Sequence, residues 1–210
     1  MRVIRQMKIK VCGLTSQEDL RVCQELGVDM TGFIFHPASP RRVSADLVGS
    51  WPKKNESRVG VFVNFNVEQV MKIMDTAGLD LVQLHGGQNL TFCLTLGKKR
   101  VIKVFWPERY GYFQDFEHEL ADYREACTYF LFDAGKDLGG HGRRIECAWL
   151  KKADVPLRFL LAGGLGPDNL HLAAELGAWG VDLNSGVEIS PGRKDHEKIK
   201  RAVEKLRGIK

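Results

Sequence analysis

A lysine and a cysteine two residues apart give the first sign of chemistry in this chain. In KIKVCG the spacing puts Lys10 and Cys12 on one side of a β-strand and Ile9 and Val11 on the other. If the first side is interior, the ammonium needs a negative neighbour, and a thiolate at Cys12 can supply it. The same cation lowers the pKa of the thiol and enriches the form that acts as base or nucleophile. The ordinary alternative is a small buried hydrophobe, the common fate of a free cysteine. Asp133 closes the apolar run TYFLFD. Desolvation there gives its carboxyl a route to a raised pKa, and so to holding a proton near neutrality, although a strand-end aspartate also caps loops or pairs with lysine.

Other residues suit an anionic ligand. Arg41, in ASPRRVS, offers a planar fork to a carboxylate, whereas Arg42 beside it projects elsewhere, into solvent. Gly163 and Gly164 in LAGGL, with Asn184, Ser185 and Gly186 in NSGVE, follow the last two apolar runs, and Gly140 and Gly142 lie in the GGHG segment after Asp133. Glycine lets backbone N–H groups approach phosphate oxygens, so these loops read as the sides of a phosphate cradle. Gln83 and His85, in QLHG, join the candidate substrate-binding positions, although a lone histidine of this kind also serves to orient a loop. The histidines at 36, 85, 118, 141, 171 and 196 form no HxxxH or HxD pair, and neither GxGxxG nor a P-loop is present. Neither a metal nor a nucleotide cofactor is expected.

These residues need a scaffold that brings them to one place. Residues 8–12, 30–35, 58–63, 80–84, 100–105, 128–133, 157–162 and 180–183 are short apolar runs that read as strands. Between them, apolar residues fall at helical spacing, as at Val67, Val70, Met71 and Met74, or Ile199, Val203 and Leu206. Ser16 suits an N-cap, Gly27 and Gly177 suit helix stops, and Pro167 suits a first helical turn. Eight strand–helix units without a linker predict a single-domain α/β fold, a (β/α)₈ TIM barrel over residues 8–210, with 1–7 as an N-terminal extension. In that architecture active sites sit at the carboxyl ends of the strands, where the singled-out residues fall.

Composition narrows the function classes. The 210 residues are 44% hydrophobic and 27% charged, with a net charge of +5, as in ordinary globular proteins. Five cysteines with no CxxC argue against a disulfide framework or a zinc knuckle and point to a reducing cytoplasm. The first residues carry no signal-peptide apolar stretch, and no window is long enough to span a membrane. Basic clusters such as Lys98-Lys99-Arg100 lack interleaved aromatics, so they read as solvated faces and not as a nucleic-acid surface. A small anionic substrate would still gain from the positive field.

KVCGLT, GFIFHPASPR, VGVFVN, QLHG, the Asp133 loop ending in GGHG, LAGGL, and VDLNSGVE with PGRKD stand in order from about residue 8 to the C-terminus. Together they resemble the phosphoribosylanthranilate isomerase family. The resemblance implies a (β/α)₈ enzyme of tryptophan biosynthesis, monomeric or homodimeric. It would catalyse the Amadori rearrangement of N-(5′-phosphoribosyl)anthranilate to 1-(2-carboxyphenylamino)-1-deoxyribulose 5-phosphate without a cofactor. By position it makes Cys12 the general base, Asp133 the general acid, Arg41 the holder of the anthranilate carboxylate and the glycine loops the phosphate site. The loop after the sixth strand departs from the family's GGTG or GGSG, with His141 in place of the small hydroxyl residue. Ile145, Glu146 and Cys147 replace the usual Phe-Asp-Trp. An aminoimidazole carboxamide ribotide isomerase would need a carboxylate base where Cys12 stands and a second phosphate site. A catalytically silent barrel would have no use for both Cys12 and Asp133.

Overall fold

Strands that are apolar on both faces can be buried only between two layers, and in this chain those layers are the barrel interior and a coat of helices. The computed structural model describes residues 7–133 and 155–208. Strands β1 (Lys8–Val11), β2 (Met30–Ile34), β3 (Ser57–Phe62), β4 (Leu81–Leu84), β5 (Val101–Phe105), β6 (Tyr129–Asp133), β7 (Phe159–Ala162) and β8 (Gly180–Leu183) form a closed parallel barrel in sequence order. Closure is made by β1 against β8, in the register Lys10↔Asp182 and Val11↔Leu183. Each strand lies within two residues of its expected bounds. A short antiparallel pair after the barrel, β9 (Glu188–Ser190) with β10 (Arg193–Lys194), is an addition that apolar patterning does not signal, because its residues are mainly charged or exposed.

Alternation sorts the strand residues into two cores. Met30, Val59, Leu81, Ile102, Val104, Leu131, Leu160 and Ala162 cluster together inside the barrel. The opposite faces contribute Val11, Phe33, Phe62, Phe105, Phe130 and Phe132 to the layer beneath the helices. Phe105 sits among aromatic rings there, with centroids 5.1 Å from Phe130, 5.6 Å from Tyr123 and 6.3 Å from Phe116.

The helices among the described residues are α1 (Gln17–Glu25), α2 (Ala45–Ser50), α3 (Val67–Ala77), α4 (Leu90–Leu96), α5 (Phe113–Tyr123), α6 (His171–Glu175) and α7 (His196–Arg207). Ser16 caps α1 by accepting the Asp19 N–H at 3.1 Å, and Gly27 and Gly177 take the positive φ that ends α1 and α6. Pro167 is not in a first helical turn. It lies in a preceding turn closed by Asn169, whose side-chain oxygen accepts the Gly166 N–H at 2.8 Å, so α6 starts only at His171. The expectations for residues 1–6, for Gly140, His141 and Gly142, and for Ile145, Glu146 and Cys147 fall outside the described residues. Among the described residues, no helix is long and apolar enough to cross a membrane.

The aromatic cluster gives a stability test. Phe105→Ala should cost about 3–5 kcal/mol in urea unfolding by leaving a cavity among packed rings. Truncation of Tyr112, 75% exposed, should change stability by less than about 0.5 kcal/mol.

Candidate active site

Leu81 and Leu131 face the barrel interior, so alternation turns Gln83 and Asp133, two residues further on, toward the same axis at the carboxyl ends of their strands. Lys10 and Asp182 meet inside the barrel, and the same alternation carries Cys12 and Asn184 inward one step above them. Positions from β1, β4, β6 and β8 thus converge on one mouth.

Cys12 is buried at the end of β1, its backbone N–H bonded to the Leu183 carbonyl at 2.8 Å. Gly32 of β2 makes room for it: a Cβ there would lie 2.7 Å from Sγ, well inside contact distance. Lys10 does not depend on a thiolate for its counter-charge. Its ammonium, fully buried, pairs with Asp182 at 2.9 Å and interacts with the Cys12 sulfur as well. Burial opposes the charged lysine, but these partners outweigh it and raise its pKa. The expected lowering of the Cys12 pKa is also corrected. Burial pushes the thiol up, Lys10 pulls it down, and the negative charge of Asp182 adds to the upward push, so the net shift is upward. A thiol without water around it needs more than one shared cation to ionise easily.

On the opposite wall, Gln83 Nε2 lies 3.1 Å from His85 Nδ1. An amide nitrogen only donates, so Nδ1 accepts and the ring proton sits on Nε2, the nitrogen 3.4 Å from Asp133 Oδ2. Burial lowers the His85 pKa despite the nearby Asp133 carboxylate, which keeps the imidazole neutral. Trp106 packs edge-on against the ring, centroids 5.3 Å apart. Gln83 Oε1 is buried and has no hydrogen-bond partner among the described residues, a costly state that a ligand donor would relieve.

Arg41 reaches the mouth from the loop after β2, and Arg42 is exposed as expected. The Arg41 guanidinium donates to Glu188 through Nε at 2.8 Å and Nη2 at 2.6 Å. Glu188 also accepts from the buried Lys194 at 2.9 Å, and Lys194 donates in turn to Asn184 Oδ1 at 2.9 Å. Burial would raise the Glu188 carboxyl, but the hydrogen bonds from Arg41 and Lys194 prevail and lower it. The glycine loops after β7 and β8 touch through their backbones. A Cβ on Gly186 would lie 2.1 Å from the Leu165 carbonyl oxygen, and one on Gly166 would lie 2.6 Å from that of Gly186. Gly163 and Gly164 both have positive φ, and Ser185 opens a single 3₁₀ turn. The residues not anticipated were Gly32, Asp182, Glu188 and Lys194. Strand parity in GVDL was the available signal for Asp182, since it places that residue on the inward face.

Among the described residues, no cluster of three or more His, Cys, Asp or Glu side chains could hold a metal ion. The remaining cysteines in that set, Cys23, Cys93 and Cys127, are fully buried in the layer beneath the helices, as small hydrophobes would be.

The Glu188 network makes a pH prediction. A carboxyl lowered on folding contributes stability above its ordinary value of 4.5 and loses it as pH falls below that. Glu188→Gln should therefore destabilise the protein at neutral pH by about 3–5 kcal/mol, because Lys194 and Arg41 lose their counter-charge. Its thermal melting temperature should then fall less steeply than that of the wild type as the solution is acidified below pH 4.5.

Comparison with known proteins agrees with the barrel fold. The model of the family described as N-(5′-phosphoribosyl)anthranilate (PRA) isomerase matches residues 9–205. The N-(5′-phosphoribosyl)anthranilate isomerase of Maridesulfovibrio salexigens is 47% identical over 195 residues, covering 92% of this chain and 95% of that one. The crystal structure of the Thermotoga maritima phosphoribosyl anthranilate isomerase superposes with a TM-score of 0.84 at 32% identity, covering 96% of this chain and 99% of that one. A phosphoribosyl anthranilate isomerase in complex with reduced 1-(o-carboxyphenylamino)-1-deoxyribulose 5-phosphate gives a TM-score of 0.78 at 31% identity, with the same coverage. With its barrel, its inward polar ring and a match across nearly its whole length, this chain belongs to the N-(5′-phosphoribosyl)anthranilate isomerase family.

Proposed function

We propose that this chain isomerises N-(5′-phosphoribosyl)anthranilate to 1-(2-carboxyphenylamino)-1-deoxyribulose 5-phosphate in tryptophan biosynthesis, with Cys12 as general base and Asp133 as general acid. The observation that carries this reading is the convergence of Cys12 and Asp133, distant in sequence, on the inward face at one end of one barrel. A structurally similar family member in complex with a reduced form of this product supports the choice of substrate.

The chemistry needs one acid and one base. The Asp133 carboxyl gives its proton to the furanose ring oxygen, the C1′–O bond breaks, and the anthranilate nitrogen lone pair forms a protonated Schiff base. The Cys12 thiolate then takes the C2′ proton, and the electrons of that C–H bond flow to nitrogen, giving a neutral enolamine. Tautomerisation moves the enol proton from oxygen to C1′ and yields the ketone. The protonated Schiff base is its own electron sink, so the reaction needs neither metal nor cofactor.

The other residues bind and orient. Arg41 Nη1, which makes no bond to Glu188, would face the anthranilate carboxylate while Glu188 holds the fork in place. Gln83 Oε1 would accept a ribose hydroxyl, and His85 would present its Nε2–H beside Asp133. Gly163, Gly164, Ser185 and Gly186 would supply phosphate-binding backbone, with Gly140 and Gly142 as the third side. A cytoplasmic location belongs to the same proposal, supported by the free state of Cys12, Cys23, Cys93 and Cys127.

Steady-state turnover of freshly prepared phosphoribosylanthranilate tests the assignment. Cys12→Ser and Asp133→Asn should each lower kcat by about 10²–10⁴-fold while still binding the reduced product analogue. Near-normal turnover in either variant would remove that residue from the mechanism. Arg41→Ala should mainly raise KM, and unchanged analogue affinity would count against a carboxylate clamp. Because burial holds the Cys12 thiol protonated, kcat/KM of the wild type should climb as pH rises above neutrality.

A further inference from the structure

A buried ion pair directly below a proposed base is an expensive arrangement unless the charges act on that base. Lys10 and Asp182 face each other across the β1–β8 seam, both out of water, with Nζ 2.9 Å from Oδ1. Cys12 is the next inward position of β1, and the ammonium interacts with its sulfur as well as with the carboxylate. One cation therefore has two competing anionic partners, one permanent and one that exists only when the thiol gives up its proton.

We propose that Lys10 and Asp182 are positioning residues for Cys12: the ammonium supplies the charge that makes a thiolate tolerable inside the barrel, and Asp182, by sharing that ammonium, adds to the effect of burial in favouring the protonated sulfur. The proposal rests on Cys12 serving as the base. Replacing Asp182 with a neutral isostere leaves the ammonium to the sulfur alone, and replacing both charges leaves the sulfur without its nearest cation. Among the described residues, Lys194 of β10 and Arg41 of the loop after β2 also interact with the sulfur, and both are already held by Glu188. Neither is expected to rearrange in these variants. His85, across the mouth, interacts with both Lys10 and Asp182.

The test is a pH titration of the ligand-free enzyme labelled with ¹³C at cysteine Cβ, with Cys12→Ser used to assign the resonance. Asp182→Asn should lower the ionisation midpoint of Cys12 by about one unit, a tenfold gain in thiolate at a fixed pH below the midpoint. The double variant Lys10→Met, Asp182→Leu exchanges the ion pair for packed apolar groups, a change that barrels and other cores often accept without loss of stability. It should raise the midpoint, and kcat/KM at neutral pH should drop at least about tenfold, with partial recovery in alkali. A merely structural pair would alter the melting temperature and leave the midpoint where it is. If Asp182→Asn fails to fold, the double variant decides alone, and a midpoint equal to that of the wild type in any folded variant overturns the proposal. A moved midpoint together with full turnover by Cys12→Ser would refute the base assignment but not the charge sharing. An unmoved midpoint with an inactive Cys12→Ser would refute the charge sharing alone.

Discussion

An ammonium group with no access to water must have a partner fixed in place, and at the seam of this barrel that requirement ties the fold to the site. Lys10 finds its partner on the strand that closes the ring, so β1 and β8 are held where Lys10 stands beside Asp182. Slipping the register by one residue would turn Asp182 out of the barrel and leave the cation alone. The same register sets the Cys12 N–H against the Leu183 carbonyl, and Gly32 leaves the sulfur its space on the other side. The register at the closing seam therefore fixes two things together, the pairing of Lys10 with Asp182 and the placement of the sulfur.

A second ionic group organises the rim. Arg41 comes from the loop after β2, Glu188 and Lys194 from the hairpin after β8, and Asn184 from the end of β8 itself. Glu188 is nearly out of water and bonded on two sides, so it holds its partners far more firmly than an exposed pair such as Lys98–Glu125 could. Direct backbone contact between the loops around Gly166 and Gly186 adds a rigid edge. A rim built this way can offer a guanidinium and backbone donors in a set geometry before any ligand arrives.

Desolvation acts in opposite directions on two titratable groups of the mouth. It raises the Cys12 thiol and lowers the His85 imidazole, so both are uncharged at rest. The charges nearby are tied up in Lys10–Asp182 and in the Glu188 cluster. A substrate that becomes cationic during reaction would enter a site where water screens little and the neighbouring charges are already placed.

The eight strands and their closure into a barrel were legible in the sequence, because alternation and apolar runs are local properties of a chain. Cys12, Gln83, His85 and Asp133 could be picked out for the same reason, each being a polar residue at or just beyond the carboxyl end of an apolar strand, and Arg41 stood out in the loop after β2. Their partners could not. Lys10 finds Asp182 172 residues away, and Arg41 finds Glu188 147 residues away. The direction of the Cys12 shift depended on the sum of burial, Lys10 and Asp182, of which a local reading sees only the lysine. The chain's own pattern determined which faces would be inward, since side-chain direction follows from strand geometry. Only the closed barrel decided which charges meet there, because electrostatic balance at a buried atom depends on everything that surrounds it in space.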